Sequence, residues 1–329
     1  MSTLMPHIKT DQLFVHVVVA AIFNLHGQVL IARRPAHVHQ GGLWEFPGGK
    51  VEPGESTLGA LRRELFEELA IRVQRCEPLI QIRHRYPDKA VLLDVWKVTR
   101  YAGDLYGREG QPLAWISRQE FPRFKFVAAN QPILKAIGLP DLYLITPEPG
   151  EDQVLFLNGL EDGLRAGIRL VQLRAPDYDA GCYCELAHAA IQRCHAHGTR
   201  LLINGEPEWA VELQADGVHL NSARLQVAAA RPLGREYLVG ASCHNAAEIA
   251  RANDVEADFA VVSPIKATLS HPDAAPFGWR RFSELCVQAE MPLYALGGMR
   301  PGDQIKAKRC GGQGIAAIRK LWSVRGTGR

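Results

Sequence analysis

From Leu142 onward, a short apolar run returns eight times, each separated from the next by a turn or an amphipathic stretch. The runs are LYLIT from Leu142, LVQLR from Leu170, LLIN from Leu201, GVHL from Gly217, LVGAS from Leu238, FAVVS from Phe259, PLYALGG from Pro292 and GIAAI from Gly314. Four or five apolar residues suit a buried strand, and segments such as YCELAHAAIQRCHAHG suit the helix between two of them. Eight strands in strict alternation with helices predict a parallel (β/α)8 TIM barrel of roughly the smallest usual size, spanning 141–323.

The barrel leaves a first segment of 1–138 to form a domain of its own, as expected for a chain of 329 residues. Here the pattern is different. VHVVVAAIF from Val15 and VLIARR from Val29 read as two strands of a hairpin around His26-Gly27-Gln28. A helix follows, then PLIQIRHRY and AVLLDVWKV, two strands separated by Pro87-Asp88-Lys89, and then the short helix AANQPILKAIG. Strands wrapped by helices predict an α+β fold, a mixed sheet sandwiched by helices, ending near Gly138-Leu139-Pro140.

The helix between the strand pairs carries the chemistry. It opens at Ser56 or Thr57 and puts Leu58, Leu61, Leu65 and Leu69 along one face. Glu64, Glu67 and Glu68 occupy i, i+3 and i+4, so their side chains converge within about 5–6 Å at the Cβ level and repel one another. Hard oxygen ligands on one rigid helix suit Mg²⁺ or Mn²⁺, which would neutralise them. Gly48 and Gly49 let the preceding backbone turn tightly beside the metal, and Gly54 supplies a second bend.

Composition narrows the alternatives. An apolar fraction of 47% with 22% charged residues is that of an ordinary folded protein, and a net charge of +3 gives no ground to expect direct DNA binding. No run approaches the ~20 apolar residues of a membrane span, and Met1 to Gln12 lacks a signal-peptide core, so no membrane association and a cytoplasmic location are expected. Seven scattered cysteines predict reduced thiols rather than a disulfide framework.

Gly49, Glu55, Arg63-Glu64-Leu65, Glu67-Glu68 and Ala70-Ile71, with their spacing, resemble the Nudix box throughout its length. Ala70 stands where that family usually has glycine, so the helix must end without a cheap left-handed residue. The resemblance implies a hydrolase that cuts a nucleoside diphosphate linked to another moiety, with water as nucleophile. It makes Glu64, Glu67 and Glu68 metal ligands or neighbours of the attacking water, Gly48 a backbone ligand and Arg63 the orienter of the glutamates. IARRPAHVHQGGLWEFPGGK, HRYPDK, GREGQPLAWIS and FVAANQPI further resemble, in order, the MutT-type 8-oxo-dGTP diphosphatases. This implies a further metal-binding or basic role for Glu109 and a purine-reading role for Asn130. It also places Arg34, His39, Phe46 and Lys89 near substrate, Lys89 standing in for an arginine. The implied reaction converts 8-oxo-dGTP and water to 8-oxo-dGMP and pyrophosphate, removing a mutagenic precursor from the nucleotide pool.

The barrel runs resemble the strands of the thiamine phosphate synthase superfamily. Where that family has two Mg²⁺-binding aspartates and a lysine, this chain has Gly205, Arg224 and His271. Without those groups, synthase activity is expected to be absent. Phosphate-type features remain at Gly297-Gly298, together with Gln172, Arg174 and Asn204, and His244 stands where related thiazole tautomerases have a histidine. The barrel is therefore expected to bind a phosphorylated thiamine-related ligand, or to act as a tautomerase. Rival readings are a Nudix pyrophosphatase for a thiamine-pathway diphosphate and a non-enzymatic ligand sensor.

Overall fold

The computed structural model describes residues 14–86, 90–268 and 275–322, so Lys89 and His271 lie outside it. The chain divides into two compact units, 1–131 and 132–329.

In the first unit, β1 (Val15–Ile22), β2 (Val29–Arg33), β3 (Trp44–Glu45), β4 (Gly48–Lys50), β5 (Arg72–Arg85), β6 (Ala90–Ala102) and β7 (Leu113–Ile116) form two sheets. One is mixed, in the order β4-β1-β6-β5, and the other is β3-β2-β7. The tight turn at residues 24–28 forms, with Asn24 N–H on Gln28 O at 3.0 Å, but the predicted hairpin does not continue beyond a single bridge between Phe23 and Val29. The reason is edge occupancy: β4 and β6 take both edges of β1, so β2 pairs with β3 and β7 instead.

Helix α1 (Thr57–Leu69) begins where Ser56 Oγ accepts the Gly59 N–H at 3.1 Å. Its predicted apolar face packs as expected: Ala60, Leu61, Leu65 and Leu69 are buried against Val18, Ala20, Ile22 and Leu30. The helix ends at Ala70, which itself adopts the left-handed conformation at φ 60°, without the glycine that makes it cheap. Gly48 and Gly49 do not form the expected turn. They lie in β4, where a Cβ at Gly48 would stand 2.1 Å from Val18 O and one at Gly49 2.2 Å from the Glu64 carboxyl carbon. Their glycines serve close approach, bringing the strand against the glutamate helix.

The second unit begins within helix α2 (Gln131–Ile137), earlier than the boundary expected near Gly138. The segment after Pro132 is fastened to the barrel. Lys135 Nζ donates to Ala257 O at 2.8 Å, Gln313 Nε2 to Ala136 O and Leu139 O at 3.2 and 2.9 Å, and Lys308 Nζ to Asp141 at 2.8 Å. All eight predicted strands form: β8 (Leu142–Ile145), β9 (Leu170–Leu173), β10 (Arg200–Ile203), β11 (Gly217–Leu220), β12 (Leu238–Cys243), β13 (Phe259–Val262), β14 (Leu293–Ala295) and β15 (Gly314–Ala317). They close into a parallel barrel, with β15 pairing β8. Among the described residues, no helix is long and apolar enough to cross a membrane, and all seven cysteines are free.

Candidate active site

The exposed side of α1 does not present three free carboxylates. Arg63 lies at its centre: its Nε and NH2 meet Glu55 at 3.1 and 2.9 Å, NH1 meets Glu64 at 2.8 Å and Glu67 at 3.1 Å, and NH2 also donates to Lys50 O at 3.0 Å. These carboxylates hold the guanidinium firmly protonated, and Arg63 in turn keeps Glu55 below the usual carboxylate range. Glu64 and Glu67 therefore converge on an arginine, which relieves the repulsion their spacing would otherwise produce.

Glu68 is different. Half-buried, its Oε2 accepts the Gly48 N–H at 3.2 Å. Burial is the main reason its pKa is pushed up to about 8; the Gly48 hydrogen bond opposes the rise, and the fields of Glu64, Glu109 and Glu45 add to it. Glu109 comes from a loop whose return to the helix is fixed by Arg108 N–H on Glu68 O at 2.9 Å and by Gln111 Nε2 on the same oxygen at 3.2 Å. Among the described residues, no three His, Cys, Asp or Glu side chains already form a metal cage. The donor set nevertheless suits a hard divalent cation, because the carboxylates of Glu64 on α1, Glu109 on its loop and Glu45 on β3 all act on Glu68.

Beside this cluster, Arg34 pairs with Glu45, and its Nε donates to His39 O at 3.0 Å. Burial raises the Glu45 pKa, and Arg34 opposes the rise. The exposed His39 ring meets Tyr86 edge-on at 5.7 Å. Phe46 is only 3% exposed and stacks on Phe126 at 5.9 Å, so its ring belongs to the core in this conformation. Its backbone N–H donates to Oδ1 of the buried Asn130 at 3.1 Å, which brings the purine-reading candidate to the WEFPGG segment. Glu45 was not singled out from sequence, although it immediately precedes Phe46. Its partner Arg34 lies just past the end of β2, and only the pairing of β2 with β3 brings the two together.

In the barrel, the candidates separate. Gln172 is buried in a polar chain in which its Oε1 accepts from Asn204 Nδ2 at 3.4 Å and its Nε2 donates to Tyr143 OH at 3.1 Å. The chain continues from Tyr143 to His219 Nδ1 at 3.1 Å and from His219 Nε2 to Ser242 Oγ at 2.9 Å. Burial lowers the His219 pKa to about 3, keeping the imidazole neutral. Arg174 instead reaches Glu148 at 3.2 Å, and Arg224 reaches Glu206 at 2.8 Å. His244, Gly297 and Gly298 do meet, lining a cavity of about 410 Å³ with Ser263, Arg300 and Arg319. His244 Nδ1 lies 2.9 Å from Ser263 O, so it carries the proton and Nε2 is left as the acceptor.

Comparison with known proteins divides the chain in the same way. The profile described as NUDIX domain matches 18–136, and that described as Thiamine monophosphate synthase matches 142–321. The first region is 42% identical over 119 residues to CTP pyrophosphohydrolase of Escherichia coli, covering 36% of this chain and 88% of that protein. It is also 36% identical over 118 residues to 8-oxo-dGTP diphosphatase of the same organism, covering 36% of this chain and 92% of that one. The second region is 37% identical over 164 residues to Thiamine biosynthesis bifunctional protein ThiM/ThiE of Symbiobacterium thermophilum, covering 48% of this chain. The match spans 34% of that relative's length.

Proposed function

Because the chain belongs to the thiamine monophosphate synthase family through its barrel and carries a NUDIX domain before it, we propose that its first unit hydrolyses a nucleoside triphosphate to the monophosphate and pyrophosphate, with 8-oxo-dGTP as the preferred substrate. The observation that carries the reading is Glu68, half-buried on the Gly48 N–H with Glu64, Glu109 and Glu45 pressing on it.

Gly48, Glu64, Glu67, Glu68 and Glu109 are the groups that would hold Mg²⁺ or Mn²⁺, which when bound neutralises charge on phosphate oxygens and lowers the pKa of bound water. Arg63 holds Glu64 and Glu67 in a neutralised arrangement beside the positions from which they would hold the cation. The Arg108 and Gln111 contacts hold the Glu109 loop on the same helix end, within reach to accept a proton from water. With its Oδ1 fixed by Phe46, the Asn130 amide offers its NH₂ as a donor to a 6-oxopurine. Hydrolysis of 8-oxo-dGTP would remove a mutagenic precursor and so serve mutation avoidance. For the barrel, we favour binding of a phosphorylated thiamine-related ligand without turnover; His244, with Nε2 as acceptor, supports proton transfer as a second reading.

The identity to CTP pyrophosphohydrolase supports a rival substrate for the first unit. The test is kcat/KM with Mg²⁺ in parallel, read as pyrophosphate release from 8-oxo-dGTP, dGTP and CTP and as orthophosphate release from thiamine diphosphate. A preference for 8-oxo-dGTP over CTP of about 10²-fold or more is expected from a buried polar contact to the 6-oxo group, which dGTP shares. A lead for CTP would move the assignment to the pyrimidine, and a lead for thiamine diphosphate would remove the base-reading role of Asn130.

A further inference from the structure

The mouth of the barrel is divided electrostatically along its strand order. Behind β8, β9, β10 and β11 stand Glu148, Arg174, Glu206 and Arg224 in alternation, joined as Arg174 to Glu148 at 3.2 Å and Arg224 to Glu206 at 2.8 Å. These two arginines are thus each spent on a glutamate. Behind β12, β13, β14 and β15 lies the 410 Å³ cavity, whose lining includes Arg300, Arg319 and Lys320 and no carboxylate. Gly297 and Gly298 close it with positive φ of 95° and 65°. A Cβ at either would come within 2.9 Å of the Pro264 or Ala267 backbone, so the floor stays bare.

The residues at the mouth do not fit a metal-bound diphosphate. At Gly205, a Cβ would already meet the Trp209 ring at 2.9 Å, and Arg224 puts a cation where a carboxylate is needed. Glu148 and Glu206 are each tied to an arginine, Asp152 and Asp179 cap the helices that follow, and among the described residues no three His, Cys, Asp or Glu side chains gather to hold a divalent cation.

We infer that this barrel takes a single phosphomonoester without a divalent metal, in the cationic half behind β12 to β15, and has lost the diphosphate half to its own ion pairs. Among the described residues no carboxylate lines the cavity, Asp303 beside it being taken up by Lys266 and the Arg300 N–H, so the cations there suit one phosphate dianion, and a volume of this size suits one phosphorylated ring system. Arg319 is assigned to the phosphate. The inference rests on the reading of the barrel as a binder of a phosphorylated ligand.

The test uses the full chain, following hydrogen exchange of backbone amides with thiamine monophosphate and inorganic pyrophosphate as probes, each in Mg²⁺ and in EDTA. Thiamine monophosphate is expected to protect 263–268 and 296–300 at the same concentration in both media, and Arg319→Ala to raise that concentration about tenfold or more. Pyrophosphate is expected to leave 204–206 and 222–224 unprotected in either medium. Protection that needs Mg²⁺, or pyrophosphate protection at 204–206 and 222–224, would overturn metal independence while leaving ligand binding in place. Absence of protection by thiamine monophosphate in either medium would remove the binding reading along with the inference.

Discussion

Arg63 shows how one side chain changes the meaning of a charge cluster. By holding Glu55, Glu64 and Glu67 together, it makes an acidic helix face tolerable before any cation binds, while Glu68 is held by a backbone N–H that only partly offsets the cost of its burial. The two kinds of glutamate should respond differently to substitution. Glu68→Gln is expected to lower kcat/KM by on the order of 10²-fold or more without lowering the melting temperature, because it replaces a carboxylate oxygen donor of the proposed cation site with an amide and removes no core volume. Arg63→Ala is expected to lower both, since it frees three carboxylates to repel one another; an unchanged melting temperature would deny it the holding role. For the base, Asn130→Ala is expected to reduce discrimination between 8-oxo-dGTP and CTP by about tenfold or more, read as the ratio of their kcat/KM values.

At the level of elements, α1 is placed by its leucines and stopped by strain. Ala70 takes a left-handed conformation that costs an L-residue roughly 1 kcal/mol more than glycine. Ala70→Gly should raise the stability of the first unit by about that amount, measured as a shift in its unfolding midpoint. The barrel strands carry a different kind of cost in the buried Tyr143–His219–Ser242 chain. His219 is held neutral near pKa 3, whereas an unfolded histidine titrates at about 6.5. Between those values the unfolded chain takes up a proton that the native chain refuses. Stability is therefore full above about pH 6.5 and falls on acidification toward pH 3, with a slope of up to about 1.4 kcal/mol per pH unit. His219→Gln should flatten that slope in a pH series of barrel unfolding.

At the level of the whole molecule, the segment joining the two sequence patterns belongs structurally to the barrel. The backbone carbonyls of Ala136 and Leu139 both accept from the buried amide of Gln313, and Asp141 pairs with the buried Lys308. Gln313→Ala would leave those two carbonyls without their partner, so it is expected to cost the barrel about 2 kcal/mol in the full chain. The unfolding transition of the first unit should stay in place, and movement of both transitions together would show that the two units unfold as one.

Much of this was legible before folding, because it depended on local periodicity. The eight apolar runs each became a barrel strand, and Leu61, Leu65 and Leu69 predicted the buried face of α1, since apolar spacing sets which face leaves water. The order of Glu64, Glu67 and Glu68 and the glycines before them marked the helix of the proposed site, again from spacing along the chain. Tertiary structure decided whatever depends on contacts between distant residues. It separated β1 from β2 by filling both edges of β1, paired Arg34 with Glu45 across strands, buried Phe46 on Phe126 and brought Phe46 N–H to Asn130. In the barrel it set Arg174 and Arg224 against glutamates on neighbouring loops and left Arg300, Arg319 and Lys320 together around one cavity. Periodicity along a chain specifies which residues are hidden, but the charges that end up facing one another are fixed only when strand edges pair and the barrel closes.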